Sequence, residues 1–478
     1  MNKIPRKDFF HSLPVFSDAV RRELAEGGRQ CGKTIVVLDD DPTGIQTVHG
    51  INVYMEWSPA VLRVPLAGEK LFFIHTNTRA FDAGRTERIN REATANVLGV
   101  AKELGKEVSF ISRGDSTLRG HYPLETGTIR GAYEEADGNP VDGEIFVPFF
   151  EEGGRFTAND IHYVMQDDEL VPAGETEFAR DSTFAYRSSN LKDYIAEKCG
   201  GACGKISSIS LELLRTQGRT AVKEFLMKAE GFERIIVNAC GYDDLRIFSD
   251  GLEAAEAAGK RFIFRSAASF VKVYGNLPEK GFLEKGEYAR LLDNCSAPGL
   301  VVVGSHVNKT TMQLKRLMDE GDVSPVEFRV NELDSGADAE IRRVASAADA
   351  QIASGKTPLV FTSRAIAGTG GGREDRLRIS AKISNALAGA IRLMGARPSF
   401  IIAKGGITSS DIATKGLGVK KEYVVGQVLG GGSVVLLDNG CKWGGLPYAI
   451  FPGNVGGADA LLEVFSLFEE ARKWRNGQ

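Results

Sequence analysis

Residues 27–44 read GGRQCGKTIVVLDDDPTG, and this stretch contains a match to the phosphate-loop pattern G-x-x-x-x-G-K-[ST]. The matching residues are Gly27, Gly32, Lys33 and Thr34. A phosphate loop follows a strand and opens a helix, so that backbone amides and the helix dipole face the phosphates. Here a helical pattern, FSDAVRRELAEGG, precedes the match and ends in glycine, whereas the strand pattern TIVVLD follows it. We therefore interpret these residues as a helix C-cap and a strand start, not as a phosphate loop.

Short apolar runs rich in β-branched residues alternate along the chain with longer segments of helical periodicity. The runs are TIVVLD (34–39), KLFFIHT (70–76), VSFIS (108–112), EIFVPFF (144–150), RIIVNAC (234–240), RFIFRS (261–266), GLVVVGS (299–305), PLVFTS (358–363), SFIIAKGG (399–406) and VVLLDNG (434–440). The segments between them include 85–107 and 337–356, which consist largely of good helix formers. Strands that alternate with helices indicate βαβ units, so the sequence predicts an α/β fold with largely parallel sheets flanked by helices.

The chain has 478 residues, which is enough for two or three domains. The segment 261–299 carries several prolines and glycines, and a new strand pattern begins directly after it. We therefore predict an N-terminal domain at 1–275, a linker region at 276–298 and a C-terminal domain at 299–478. The C-terminal part also holds glycine clusters, among them GTGGG (368–372) and PGNVGG (452–457), of the kind that lets a backbone approach an anion closely.

Charge and composition exclude several classes of protein. The net charge is −4 and there is no basic stripe, which argues against a nucleic-acid partner. No run of about 18 apolar residues and no signal-peptide pattern occurs, so we expect a cytoplasmic protein without a membrane partner. The six cysteines are scattered and lack the spacing of a zinc site. The sequence leaves open whether the chain forms a homodimer.

Polar side chains follow four of the N-terminal strand patterns. In parallel α/β sheets the ligand binds beyond the carboxyl ends of the strands, so these residues are candidates for one cleft. They are Asp39, Asp40, Asp41 and Thr43 after the first run, Arg79 after the second, Arg113, Asp115 and Arg119 after the third, and Arg155 after the fourth. Such a cleft suits a small, hydroxylated anion, since arginine pairs with carboxylates and aspartate accepts hydrogen bonds from hydroxyls. The alternatives are a solvated turn at 39–41 and a helix N-cap at 112–117.

In the C-terminal part, the strand pattern SFIIA runs into KGGITSSD (404–411). A strand that enters a Gly-Gly turn and a helix start offers free amides and hydroxyls to an anion. Lys404 could contact a phosphate there or lie solvated at the strand end. No G-x-G-x-x-G follows the first strand, which argues against an NAD-dependent oxidoreductase.

Together these motifs resemble the four-carbon acid sugar kinase family, formerly DUF1537, along nearly the whole chain. The resemblance is carried by DDPTG (40–44), TNTR (76–79), SRGDSTLRG (112–120), VPFFEEGGRFT (147–157), YVMQDDELVPAGETEFARDS (163–182), RSAASF (265–270), VVVGSHVNKTTMQ (301–313), KGGITSSD (404–411) and PGNVGG (452–457). Members look like ATP-dependent kinases, with an N-terminal domain that binds an acid sugar and a C-terminal domain that binds ATP. The resemblance thus implies ATP and Mg²⁺ as cofactors and a sugar acid as the small-molecule partner.

The resemblance also implies roles for single residues. Asp40, Thr43, Arg79, Arg113, Arg119 and Arg155 would bind the substrate, and Ser266, Gly405, Gly406, Ile407, Thr408 and Gly453 would bind the nucleotide. Asp41 is the first choice for the catalytic base and Asp115 the second. Ile407 stands where many members have Glu, and Ser266 lies in RSAAS where many have Gly-Gly-Ser-Gly.

The substrate is expected to be a four-carbon aldonate or 3-oxo-tetronate, or a branched five-carbon oxo-acid such as an apionate derivative. The alternative is a non-catalytic sensor protein that binds a sugar acid and a nucleotide.

Overall fold

The computed structural model describes residues 3–26, 32–201, 203–292, 296–334, 336–364, 373–453 and 455–475. The chain folds as two units, one formed by Met1–Val48 and Glu56–Pro278 and the other by His49–Met55 and Glu279–Gln478. Among the residues described, no helix is both long and apolar enough to cross a membrane. Glycines 27 and 28, which we predicted as a helix C-cap, and the cluster GTGGG (368–372) lie outside the described residues.

The strands are β1 (Ile4–Pro5), β2 (Thr34–Asp39), β3 (Ile51–Tyr54), β4 (Leu71–His75), β5 (Val108–Arg113), β6 (Gly143–Val147), β7 (Arg155–Ala158), β8 (Ile161–Gln166), β9 (Glu169–Pro172), β10 (Ile206–Ile209), β11 (Glu233–Val237), β12 (Phe262–Ser266), β13 (Leu300–Val303), β14 (Val323–Phe328), β15 (Thr357–Thr362), β16 (Ile401–Lys404), β17 (Lys421–Leu429), β18 (Gly432–Leu437) and β19 (Pro447–Phe451). Every apolar run predicted as a strand overlaps one of them.

The α-helices are α1 (Arg6–His11), α2 (Asp18–Ala25), α3 (Pro59–Gly68), α4 (Ala83–Leu104), α5 (Leu124–Asp137), α6 (Leu191–Lys198), α7 (Gly218–Leu226), α8 (Tyr242–Glu256), α9 (Ala268–Tyr274), α10 (Lys285–Leu291), α11 (Asn308–Glu320), α12 (Ala337–Ala353), α13 (Arg373–Leu393), α14 (Gly406–Asp411) and α15 (Ala460–Arg475). Short 3₁₀ helices occur at Thr78–Ala80, Ala173–Glu175, Glu177–Arg180 and Val330–Leu333, and π-helical turns at Leu213–Gln217 and Ile412–Gly416.

The first unit is built on a parallel sheet with the strand order β10-β11-β6-β12-β5-β2-β4. Its strands are buried along almost their whole length, because helices cover both faces of such a sheet and the strands are therefore continuously apolar. A second, antiparallel sheet has the order β1-β9-β8-β7. The predicted α/β fold class is confirmed.

The second unit contains strands in the order β3-β17-β18-β19-β16-β13-β15-β14. The pairs from β19 to β14 are parallel, and those from β3 to β19 are antiparallel. The predicted linker region 276–298 carries α10, and Leu283, Tyr288 and Leu292 pack in the core of this unit. The ring of Phe468 on α15 contacts Tyr288 at 4.9 Å between centroids and stacks on Phe400 at 4.7 Å.

Candidate functional site

The parallel register of the first unit brings three polar residues to the carboxyl edge of its sheet. Asp39, the last residue of β2, lies directly opposite His75 on β4 and Arg113 on β5. At the other end of β2, Lys33 pairs with Glu256 at 3.0 Å. The match to the phosphate-loop pattern therefore lies at the amino edge of the sheet, away from the edge where ligands bind in this class of fold.

The turn after β2 holds three successive carboxylates in three different environments. Asp39 is buried, and a Cβ atom on Gly44 would overlap its carboxylate, so the chain can only close over Asp39 at a glycine. Burial raises the pKa of Asp39 to about 7, although the charge of Arg113 opposes this shift. Asp40 is also buried, whereas the Asp41 side chain is 22% exposed. Of the three carboxylates, Asp41 is therefore the one that a ligand can reach.

Arg79 holds Asp40 and Asp41 together. Its Nε and Nη2 donate to the two carboxylate oxygens of Asp40 at 3.2 and 2.5 Å, and its Nη1 donates to Asp41 Oδ2 at 2.7 Å. The other oxygen of Asp41 accepts hydrogen bonds from the amide and the hydroxyl of Thr43 at 2.7 and 2.5 Å. Burial alone would raise the pKa of Asp41, but Arg79 and Thr43 bring it below its usual value. Asp41 is therefore ionised at neutral pH.

Asp115 forms a second ion pair, with Arg119, on the loop after β5. Arg119 Nε donates to Asp115 Oδ2 at 2.6 Å, and the Thr117 hydroxyl donates to the same oxygen. Burial opposes ionisation of Asp115, yet Arg119 and the more distant Arg79 hold its pKa well below the usual range. The charge of Arg79 therefore acts on both candidate bases, Asp41 and Asp115.

Three buried side chains fix the backbone of this loop at three successive carbonyl groups. His162 Nε2 contacts the carbonyl oxygen of Ser116 at 2.8 Å, Tyr186 donates to Thr117 at 2.9 Å, and Tyr194 donates to Leu118 at 2.7 Å. Leu118 has a φ of 69°, which a side-chain-bearing residue adopts only where its surroundings enforce it. Sequence reasoning missed these three residues because they approach from segments 46 to 76 residues further along the chain.

A buried ion pair, also missed from the sequence, lies behind the loop. Arg265 on β12 donates to Glu125 on α5 at 2.8 Å, and the other oxygen of Glu125 accepts from the Thr78 hydroxyl at 2.9 Å. Glycine is required beside this pair, because a Cβ atom on Gly114 would overlap the Arg265 guanidinium. The sequence showed this glycine in SRGDSTLRG, but it did not indicate that the Arg265 side chain packs against it.

The remaining predicted arginines, Arg113 and Arg155, and the nearby His121 have different surroundings. Arg113 is 4% exposed and pairs with the buried Asp39 at 3.4 Å, so it compensates the charge of the buried end of the carboxylate cluster. Arg155, the first residue of β7, lies near Asp115 and Arg119. His121 Nε2 contacts the carbonyl oxygen of Phe81 at 2.9 Å.

The second unit contains a cavity of about 430 Å³ at the carboxyl edge of its sheet. It is lined by Gly304, Ser305, His306, Val307, Ile383, Ser384, Leu387, Gly405, Gly406, Ile407, Thr408 and Gly453. Gly405, Gly406, Ile407, Thr408 and Gly453 were predicted from the sequence, and the structure brings all five together. Ser384 and the apolar side chains from α13 were missed, because one face of a long helix carries no signal of its own.

Glycine shapes this cavity by allowing close approach. Gly405 has a φ of 123°, and a Cβ atom there would lie 3.0 Å from Thr408 Oγ1. A Cβ atom on Gly453 would lie 2.5 Å from Ser305 Oγ. The Thr310 hydroxyl donates to the Gly453 carbonyl at 2.8 Å and fixes that glycine against Ser305. Glycine at 405 and 453 therefore lets the backbone pack closely against Thr408 and Ser305 in the wall of the cavity.

Lys404 is fully buried, so the alternative of a solvated lysine is wrong. Its Nζ donates to the Pro452 carbonyl at 2.5 Å and lies 3.8 Å from the centre of the Phe451 ring. Burial, together with the charge of Lys309, lowers the pKa of Lys404 to about 7. Lys404 therefore positions the segment before Gly453.

Ser266 belongs to the first unit, at the end of β12, whereas the glycines that line the cavity belong to the second unit. Its hydroxyl donates to the Ala267 carbonyl at 3.1 Å. The nearest neighbours of Ser266 in the sheet are Arg113 on β5 and Val147 on β6. The described residues lining the cavity of the second unit do not include Ser266.

Two family models match the chain. Residues 35–274 match a sugar-binding N-terminal domain, and residues 300–461 match a nucleotide-binding C-terminal domain. The first match covers half of the chain. The carboxylate and arginine cluster thus lies in the sugar-binding domain, and the glycine-lined cavity lies in the nucleotide-binding domain.

Solved structures share the fold at low sequence identity. Protein HI1011 of Haemophilus influenzae, of the DUF1537 family, is 17% identical with a TM-score of 0.61, over 91% of this chain and 100% of that one. A protein of Salmonella typhimurium LT2, described as a candidate tRNA synthase, is also 17% identical with a TM-score of 0.64, over 90% of this chain and 98% of that one. No curated protein matches the chain.

Proposed function

The chain belongs to the four-carbon acid sugar kinase family, and from this premise we propose that it is an ATP-dependent kinase that phosphorylates a hydroxyl of a small acid sugar. The observation that carries the proposal is the state of Asp41. It is the exposed member of three successive carboxylates, it is ionised, and it lies within a cluster of arginines in the sugar-binding domain.

The residues of the first unit take three roles in this proposal. Asp41 accepts the proton of the attacking hydroxyl, with Asp115 as the second choice. Thr43 and the buried Asp40 orient Asp41 and Arg79 rather than the substrate, because their polar atoms are engaged with those side chains. Arg119 and Arg155 lie on the Asp115 side of the cluster and are the candidates for the substrate carboxylate.

The nucleotide occupies the cavity of the second unit in this proposal. Gly405, Gly406 and Gly453 allow the phosphates to approach the backbone, and Thr408 and Ser305 supply hydroxyls. The isoleucine at 407 offers no carboxylate, so contacts to the nucleotide there depend on the backbone. The apolar wall that includes Ile383 and Leu387 suits the adenine ring.

Mg²⁺ enters with ATP in this proposal. The described residues include no group of three or more His, Cys, Asp or Glu side chains that could hold a metal. Mg²⁺ keeps several waters and is commonly bound through substrate phosphates, so it would be held mainly by ATP, where it neutralises the charge of the phosphates.

The test is a coupled assay of ADP release with MgATP and a panel of acids. The panel contains four-carbon aldonates, 3-oxo-tetronates and branched five-carbon oxo-acids related to apionate. We expect ADP release that depends on one of these acids, with a phosphorylated acid as product. Binding of both an acid and ATP without turnover would instead support the sensor protein.

A further inference from the structure

Ser384 on α13 brings an unpaired hydroxyl group to the wall of the cavity in the second unit. The residue lines the cavity and is 5% exposed. Its Oγ is buried and has no hydrogen-bond partner. A serine inside a helix can donate to the carbonyl oxygen one turn earlier, but Ser384 does not. The folded chain therefore leaves both the donor and the acceptor of this hydroxyl unused.

An unpaired buried hydroxyl is unfavourable for folding, because the water that it loses is not replaced. Other hydroxyls beside the cavity avoid this cost; that of Thr310, for example, donates to the Gly453 carbonyl at 2.8 Å. Among the described residues of the second unit, the other buried hydroxyls without a partner are those of Tyr288 and Ser399, and neither residue lines the cavity. Of these three hydroxyls, that of Ser384 is therefore the one that a ligand in the cavity can pair with.

The part of the wall that contains Ser384 is otherwise apolar. Ile383 and Leu387, also on α13, line the same cavity. A Cβ atom on Gly304 would lie 3.1 Å from Leu387 Cδ1, so α13 packs closely against the residue that follows β13. Among the described residues that α13 contributes to the lining, Ser384 has the one polar side chain. An apolar wall with a single hydroxyl suits a flat heterocycle, which buries its ring and carries donors and acceptors at its edge.

We infer that the Ser384 hydroxyl accepts a hydrogen bond from the 6-amino group of the adenine ring and thereby favours adenine over a purine without this group. A serine hydroxyl can both donate and accept. The adenine edge suits it, because the 6-amino group is a donor and the ring nitrogen beside it is an acceptor. Since no hydrogen bond holds the hydroxyl, rotation about χ1 can turn it towards a ligand without breaking a contact. The inference rests on the proposed function only in taking the cavity to be the ATP site, and binding can be measured without turnover.

The experiment compares ATP with purine riboside triphosphate, which lacks the 6-amino group. Both are titrated by calorimetry into wild type, Ser384→Ala, Ser384→Thr and Ser399→Ala. We expect Ser384→Ala to weaken binding of ATP by about 10-fold and of the analogue by less than about 3-fold. Ser384→Thr keeps the hydroxyl and should keep the wild-type preference for ATP over the analogue. Ser399→Ala, which removes an unpaired buried hydroxyl outside the cavity lining, is the matched control and should bind both as wild type does.

The stability of the protein without nucleotide separates this role from a structural one. Ser384→Ala and Ser399→Ala each remove a hydroxyl that has no partner, so their urea-unfolding midpoints should equal or exceed that of wild type. A clearly lower midpoint for Ser384→Ala alone would show that the hydroxyl serves the folded chain, and this would contradict the inference.

Two binding results would overturn the inference. One is an unchanged affinity of Ser384→Ala for ATP, and the other is an equal loss for ATP and for the analogue. Binding of neither nucleotide by wild type would remove the nucleotide site and the inference together. The expected losses in a protein that releases no ADP with any acid of the panel would instead remove the kinase proposal and leave the role of Ser384 intact.

Discussion

His162 and Ser116 are joined by a contact of 2.8 Å between the imidazole Nε2 and the carbonyl oxygen one residue after Asp115. The other ring nitrogen contacts the Thr157 hydroxyl at 2.9 Å, so both nitrogens of a fully buried imidazole are used. The candidate base Asp115 is thus positioned by a residue of the neighbouring antiparallel sheet. Because His162 holds this carbonyl, a change in its protonation would disturb the loop after β5.

His162 should make the protein less stable in acid. Burial lowers its pKa from 6.5 to about 4, so the unfolded chain takes up a proton that the folded chain refuses between these values. His162 contributes up to about 3 kcal/mol to the free energy of unfolding above pH 6.5, and this contribution is lost as the pH falls towards 4. The free energy of unfolding, measured in urea from pH 8 to pH 4, should therefore fall less steeply for His162→Gln than for wild type. His11→Gln, at an exposed histidine, should leave the wild-type slope unchanged.

Asp41→Asn should lower kcat about 10²- to 10⁴-fold, because the amide cannot accept the proton of the attacking hydroxyl. The amide is nearly isosteric with the carboxylate, so the circular dichroism spectrum should not change. Asp168→Asn, at an exposed turn between β8 and β9, is the matched control and should keep full activity. A wild-type kcat for Asp41→Asn would contradict the assignment of Asp41 as the base and leave Asp115 as the candidate.

Gly114→Ala should destabilise the first unit by about 3 kcal/mol. The new methyl group would displace the Arg265 guanidinium and leave Glu125 as a buried, unpaired charge. The measurement is the urea-unfolding midpoint. Gly127→Ala on α5, where a Cβ atom meets nothing within 4 Å, should be neutral or stabilising by up to about 1 kcal/mol. Equal midpoints for the two variants would contradict the requirement for space beside Arg265.

Gly405→Ala should weaken ATP binding by about 10-fold or more. A φ of 123° strains any residue with a side chain by about 1–3 kcal/mol, and the new methyl group would press on Thr408 and Ser305. Calorimetric titration with ATP measures the effect. Gly430→Ala, at an exposed turn of the same unit with open space around its Cβ position, should bind ATP as wild type does. Unchanged ATP affinity in Gly405→Ala would place the nucleotide elsewhere.

Strand positions followed from the sequence for most strands that are buried along their whole length, although β19 is fully buried and was missed. TIVVLD was predicted at 34–39 and is β2 at those residues. The run EIFVPFF extended too far, because β6 ends at Val147 before Pro148, which lacks the N–H needed for a sheet ladder. The antiparallel strands β7, β8 and β17 were missed, since they mix polar and apolar residues and show no continuous apolar run.

The sequence by itself determined which polar residues stand at the carboxyl edges of the strands, because strands joined by helices run parallel and the residue after each apolar run therefore lies at the same edge. Only the tertiary structure decided how those residues pair. Arg79 meets Asp40 across 39 residues and Arg265 meets Glu125 across 140, and no local pattern encodes such partners. It also decided that the buried His162, Tyr186 and Tyr194 hold the backbone of the loop after β5. Charge pairing depends on distances between elements, and packing alone sets those distances.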